Sequence, residues 1–370
     1  MSSGTGLKRE WPLAVAIVTT ALFLQFGKAW LADLSNAWWF LLMLVWLFSV
    51  ILAAAFAVVH HAESLAIRLG EPLGTLVLTL SVIGIEVTMI SAVMLTGDGK
   101  PALARDAMFG VTMIVLNGMV GVSLLMGGLR HHEQQYNLQG ANSFLSLIVP
   151  LTVLGLVLPN FTETAVGPTL STFHSVFLAL MSIGIYCLFL VVQNWRHREY
   201  FTQPLLDQTT ARHEADHGEV KSLTYHGVLL VSYLLPIVAL SEEIALPIDH
   251  GIEVLHAPAA LGGFLVAALI LSPESLSATR AALANDLQRS INILLGSVLA
   301  SIGLTIPAVL TIGLITHKTV ILGLDAPNSV LLLLTLALSA LTFTSNRTNV
   351  LSGAVHLLLF LAYVMLLFER

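Results

Sequence analysis

Runs of roughly twenty apolar residues, separated by short polar links, recur from one end of the chain to the other. A helix that crosses a bilayer needs about 20 such residues. The pattern predicts eleven of them, at 12–32, 36–60, 73–95, 107–129, 142–158, 172–193, 225–244, 256–279, 290–316, 324–344 and 349–368. The fifth is short and is closed by Pro159 and Asn160. The longest polar connection, Arg196 to Tyr225, falls near the midpoint. The expected organisation is therefore an N-terminal segment with helix 1 (1–35), a first half with helices 2–6 (36–193), a polar cytoplasmic loop (194–224) and a second half with helices 7–11 (225–370).

Composition agrees with this pattern. Of 370 residues, 56% are hydrophobic and 10% charged, with a mean hydropathy of +0.87, against about 25% charged in soluble domains. The chain reads as an all-α polytopic integral membrane protein surrounded by lipid. A net charge of −6 offers no basic surface for nucleic acid. The one cysteine, Cys187, leaves no disulfide framework and no Cys-based metal site. No cleavable signal peptide is evident, which favours a bacterial cytoplasmic membrane.

Charge placement tests the helix count. With the N-terminus inside, the cytoplasmic links collect Lys8, Arg9, Arg68, Arg130, Arg196, Arg198, Arg212, Lys221, Arg280, Arg289 and Arg347. Lys28, Lys100, Arg105, Lys318 and Arg370 fall opposite, and this excess follows the positive-inside rule. An odd helix count then places the C-terminus outside.

Two carboxylates interrupt the apolar runs. Glu86 lies near the middle of Leu73–Leu95, and Glu274 lies in the eighth helix, within "LVAALILSPESLSATRAAL". An acidic residue at the centre of a membrane helix costs about 2.5–3.5 kcal/mol and as a rule faces a bundle interior or a wet cavity with a functional role. After each carboxylate come a polar break, an arginine (Arg105, Arg289) and a helix with an early glycine (Gly110, Gly296). Aligning those glycines sets Asn117 on Gly303 and Gly121 on Pro307. Helices 2–6 and 7–11 thus form two ordered repeats that would be inverted in the membrane, an architecture of transporters with a midplane site.

Helical phasing adds candidates around the acids. Thr75, Thr79 and Glu86 share one stripe, as do Gly263, Ala267 and Glu274. Pro273 lacks an N–H and so frees the carbonyl of Leu269, a hard oxygen beside Glu274, with Ser272 and Ser275 next to it. Asn117, Ser297 and Ser301 are the polar candidates on the small-residue faces that carry Gly110 and Gly121, and Gly296, Ala300 and Gly303. Intrahelical bonding of the hydroxyls and plain packing are the competing roles.

"HAESLAIRLGEPLGTLVLTLSVIGIEVTMISAVMLTGD" resembles the first signature of the ChaA-type calcium (sodium, potassium)/proton antiporters of the cation/calcium exchanger superfamily. "GFLVAALILSPESLSATRAALANDLQRSINILLGSVLASIGLTIP" resembles the second signature, and "NRTNVLSGAVHLLLFLAYVM" the family's last helix. The resemblance implies eleven helices, one peripheral plus two inverted groups of five, with Glu86 and Glu274 binding cation and proton in turn. It implies no cofactor, inorganic cations (Ca2+, Na+ or K+) and protons as partners, and it leaves a homo-oligomer open. Neutral oxygen donors beside the acids are fewer here than in the wider superfamily, as in "GVTMIVL" and Val298–Leu299–Ala300, which points towards sodium or potassium beside calcium.

Two carboxylates in one dry cavity would repel each other, hold protons when empty and release them as a cation arrives. One rival motif stands apart from this scheme. His213-Glu214-Ala215-Asp216-His217 matches the H-E-x-x-H zinc pattern of metalloproteases, but in a polar loop without a third ligand. A solvated linker, or a regulatory role for His213 and His217, is the simpler reading. His60, His61, His131 and His132 close cytoplasmic helix ends, where pH sensing by His61 is open, and His356 is taken as structural. A passive cation channel is the remaining alternative.

Overall fold

A computed structural model of the chain describes residues 10–70, 73–96, 101–163, 167–203 and 222–368. Among them it forms eleven helices: α1 (Trp11–Trp30), α2 (Ala37–Leu69), α3 (Leu73–Thr96), α4 (Leu103–His131), α5 (Leu138–Leu156), α6 (Thr172–Arg196), α7 (Leu223–Val254), α8 (Ala260–Leu283), α9 (Leu287–Thr316), α10 (Ala326–Thr342) and α11 (Val350–Phe368). Nine of these are long and apolar enough to cross a membrane; the stretch Leu76–Ser91 of α3 and all of α10 are shorter apolar helices. The all-helical expectation needs one small amendment. Gln134–Gln135 (β1) and Arg347–Thr348 (β2) pair as two-residue antiparallel strands.

Helix starts follow from capping residues. The side chain of Asn36 accepts from the backbone N–H groups of Trp38 and Trp39 at 3.0 and 3.2 Å. Asn137, Ser171, Ser222, Asp286 and Asp325 cap α5, α6, α7, α9 and α10 in the same way. Each bond satisfies an N–H that the first helical turn leaves without a partner.

Two helices outrun their expected ends. The hydropathy pattern stops the second at residue 60, yet α2 continues to Leu69, because His61, Ala62 and Leu65 extend its buried stripe through polar-looking sequence. Gly70, at φ 64°, then turns the chain in the left-handed region that glycine tolerates. The seventh, expected to end at 244, runs to Val254, with Ala245, Pro247, Ile248 and Gly251 buried. Mean hydropathy drops at both places while the buried face persists.

The chain forms two compact units, and both take helices from each half of the sequence. The first (Met1–Lys100 with Val220–Pro273) holds α1, α2, α3, α7 and α8 up to Pro273. Its core is a pair of facing helical stripes: Met43, Leu47, Ile51, Ala54, Val58 and Ala62 on α2, and Tyr233, Ile237, Leu240, Ile244 and Ile248 on α7. α1 and α3 each pack on both of these helices.

The second unit (Pro101–Glu219 with Glu274–Arg370) holds the end of α8 with α4, α5, α6, α9, α10 and α11. α4 and α9 share an irregularity, a wide π turn in mid-helix: Ile114–Met119 in α4 and Ser301–Thr305 in α9. The turns begin four residues after Gly110 (114 − 110) and five after Gly296 (301 − 296), so the sequence alignment of those glycines also brings the turns into near register. Packing follows the same correspondence. The C-terminal half of α4 lies on α11 and that of α9 on α6, while α5 meets the N-terminal half of α9 and α10 that of α4.

The small-residue face of α4 is what lets α11 come close. A methyl group at Gly353 would sit 2.8 Å from the Gly121 carbonyl oxygen and against the backbone of Leu125. Gly353→Ala should therefore separate the helices and lower the thermal midpoint in detergent, at an overpacking cost of about 1–3 kcal/mol. An unchanged midpoint would mean that the two backbones do not meet there.

Candidate cation site

In the first unit Glu86 sits on α3 with 1% of its surface exposed. It is the only charged residue of that helix. The side chains next to it, Ile85 and Met89, belong to the same apolar core as Leu269 and Ile270 of α8. Three hydroxyls of the same helix bond their own backbone. The hydroxyls of Ser81 and Thr88 donate to the carbonyls of Val77 and Gly84 at 2.6 Å, and Ser91 donates to Val87. Thr79 is half-buried two turns before Glu86; the side chain of Thr75 lies outside the described residues.

On α8, Pro273 supplies no N–H to the carbonyl of Leu269. Ser272 donates to the preceding carbonyl, that of Ala268, at 2.6 Å. That bond uses its hydrogen but leaves oxygen lone pairs for a further contact. Ser275 is half-buried.

Glu274 is the first residue of the second unit and is half-buried. The hydroxyl of Ser297, on α9, donates to one of its carboxylate oxygens. These two residues, chosen separately from the sequence, are thus brought together. Ser301 opens the π turn of α9 and is 3% exposed.

Asn117 occupies the π turn of α4 and is fully buried. Its amide nitrogen donates to Thr335 Oγ1 on α10 at 2.8 Å, and its oxygen faces Nδ1 of His356 on α11 at 3.3 Å. The other ring nitrogen of His356 meets Thr342 Oγ1 at 3.0 Å, and Thr335 donates to the carbonyl of Leu331 at 2.8 Å. With the imidazole hydrogen on Nδ1, this chain of bonds closes without a clash. Asn117 therefore joins α4, α10 and α11, with His356 as its partner on α11. Sequence reading missed Thr335 and Thr342, which lie far from Asn117 along the chain and carry no local signal.

The motif His213-Glu214-Ala215-Asp216-His217 lies outside the described residues. Among the described residues, no group of three or more His, Cys, Asp or Glu is arranged to hold a metal ion. His61 sits in a different cluster, buried at the far end of α2, 3.0 Å from His226 of α7.

The chain is thus a helical membrane protein with a buried carboxylate in one unit, a serine-held carboxylate in the other and a π turn in each of α4 and α9. The structure titled "Structure of native YfkE" superposes with a TM-score of 0.72 over 97% of this chain and 100% of that one, at 19% identity. The chain itself belongs to the family described as "Sodium/calcium exchanger protein", whose model matches residues 39–195 and 225–369. The sodium-potassium/proton antiporter ChaA of Escherichia coli (strain K12) is 41% identical over 310 residues, 83% of this chain and 84% of that protein. A Ca(2+)/H(+) antiporter of Synechocystis sp. is 25% identical over 265 residues, 68% of this chain and 70% of that protein. The chain is accordingly an integral membrane transporter and not an enzyme, and the metalloprotease alternative is set aside.

Proposed function

We propose that this protein exchanges a cation (Na+, K+ or Ca2+) for protons by alternating access, with Glu86 and Glu274 each carrying cation and proton in turn. The observation that carries the reading is Glu86, a carboxylate left 1% exposed in a helix with no other charge. A carboxylate at such a place is costly and as a rule functional, and a cation or a proton would neutralise it. Hard oxygen ligands suit these cations: Glu86, with Thr79, Ser272 and the Leu269 carbonyl as supporting donors, in the first unit, and Glu274, with Ser275, Ser297 and Ser301, in the second. Protonation and cation binding are then mutually exclusive, which couples the two fluxes.

The two halves, 36–193 and 225–370, are inverted repeats beside a peripheral first helix (1–35) and a cytoplasmic loop (194–224). The paired π turns and the exchanged packing partners of α4 and α9 support this. The distribution of lysine and arginine supports an N-terminus in the cytoplasm of a bacterium and a C-terminus outside. Sodium and potassium are favoured, since the sequence around both acids is sparing in neutral oxygen donors and the 41% identical relative is named for those ions.

Tracer uptake into proteoliposomes with an acidic interior tests the assignment. Sodium or potassium should enter as protons leave, and dissipating the proton gradient should stop it; uptake that continues without the gradient would favour the channel. Ser297→Ala should keep exchange running while weakening apparent cation affinity several-fold, because the serine orients Glu274 but brings no charge. A variant with unaltered affinity would show that the serine has no part in binding.

A further inference from the structure

A second buried cluster of titratable groups lies wholly within the first unit. The rings of His61 (α2) and His226 (α7) face each other through their Nδ1 atoms at 3.0 Å. His61 is 2% exposed and His226 6%. On the other side of His61, Nε2 lies 3.5 Å from the Glu10 carboxylate, in the segment before α1. Tyr225 and Tyr233 of α7 each donate a hydrogen bond to Glu10 at 3.0 Å, and the Tyr233 ring stacks on His61 with centroids 5.7 Å apart. Three chain segments, the lead into α1, the end of α2 and the start of α7, meet here through side chains that gain or lose protons.

The facing nitrogens set the rule by which this cluster works. A 3.0 Å contact between two Nδ1 atoms holds one hydrogen, donated by one ring and accepted by the other. The pair is satisfied when both rings are neutral. It is also satisfied when His61 alone is charged, because Nε2–H then points at the Glu10 carboxylate. When both rings are charged, two N–H donors and two positive charges confront each other, and the contact cannot persist. Unperturbed imidazole titrates near pH 6.5, so that third state belongs to acid conditions.

We propose that Glu10, His61 and His226 form a proton-operated latch, which holds α7 and the start of α1 against α2 at neutral and alkaline pH and releases them when both histidines are charged. The titratable groups around the pair are Glu10 before α1, His60 and His61 on α2, and Tyr225, His226 and Tyr233 on α7, with Glu63 and Arg68 following on α2. α1 itself adds only Lys28, near its other end, and α3 only Glu86, further along that helix. Glu10 does not titrate with the latch. Burial pushes its carboxyl up, but the hydrogen bonds from Tyr233 and Tyr225 and the neighbouring His61 pull it further down, to below its ordinary 4.5. Its contribution to stability is present above that value and lost only as pH falls beneath it.

Release has a functional consequence that rests on the antiport reading. α3, which bears Glu86, packs on both α2 and α7. Loosening those two helices unseats α3, so exchange slows on the acid side and the transporter idles when its own compartment acidifies.

Hydrogen exchange of the full-length protein in detergent, at about pH 5.5 and 8 with correction for intrinsic rates, tests the latch without relying on transport. Backbone protection of residues 223–233 should fall at least tenfold at the acid pH. His226→Gln, and as a second variant His61→Gln, replaces one ring by an amide that can bond the other but never becomes charged, so protection should persist at both pH values. Equal protection at both pH values in the unaltered protein would overturn the proposal, as would the same acid loss in the glutamine variants. A change that appears only with added Zn2+ and disappears with a chelator would also overturn it, in favour of a two-histidine metal site. An acid-dependent loss in protein that moves no cation would support the latch and count against the antiport reading alone.

Discussion

Replacing Glu86 by Gln should reduce cation-dependent proton movement to the level of vesicles without the protein, and Glu274→Gln should do the same. The two carboxylates are the only groups in the scheme that can hold either a proton or a cation's charge, and an amide of the same shape can do neither. The protein itself should be no less stable. Glu86 sits in an apolar helix at 1% exposure, where the Gln amide, like the protonated carboxyl it replaces, brings no charge. A thermal midpoint in detergent that is level or higher, beside abolished exchange, is the expected pair of results. Exchange that survives in either variant would remove that carboxylate from the site.

Asn117→Leu has the largest expected effect on folding. The change is close to isosteric, yet it deprives Thr335 and His356 of a partner inside the second unit, where Asn117, Thr335 and His356 are all fully buried. Thr335 keeps its bond to the Leu331 carbonyl, so the cost falls on the buried His356 nitrogen that loses its acceptor, about 1–3 kcal/mol, and a drop in the thermal midpoint should follow. A double variant with His356→Leu should recover part of the loss, because removing both partners of a buried bond is much less costly than removing one. A single variant that melts with the unaltered protein would mean that the α4, α10 and α11 network does not hold the unit together.

Much of this was legible in the chain. The helices follow from apolar run length, and nine of those described are long and apolar enough to cross a bilayer. Glu86 and Glu274 stood out because a charge in such a run is costly. What stayed hidden has a common cause. α2 and α7 outran their expected ends because burial continued along one face after mean hydropathy had fallen. Asn117 could be singled out as polar, but its partners Thr335 and His356 lie more than two hundred residues away. Glu10 and His226 carry no signal of their own in the sequence, and only the fold sets them around His61. The π turns left only the aligned glycines as a trace, since a widened turn is a property of packing as much as of sequence.

The most direct test of the central claim is calorimetric titration of the purified protein with its cation in buffers of different ionisation enthalpy. If cation and proton compete for the same carboxylates, the apparent binding heat varies with the buffer, which counts protons released, and that variation disappears in Glu86→Gln and Glu274→Gln. Cation binding with a heat independent of the buffer would contradict the account, since a site that takes up cation without giving up protons cannot couple the two fluxes.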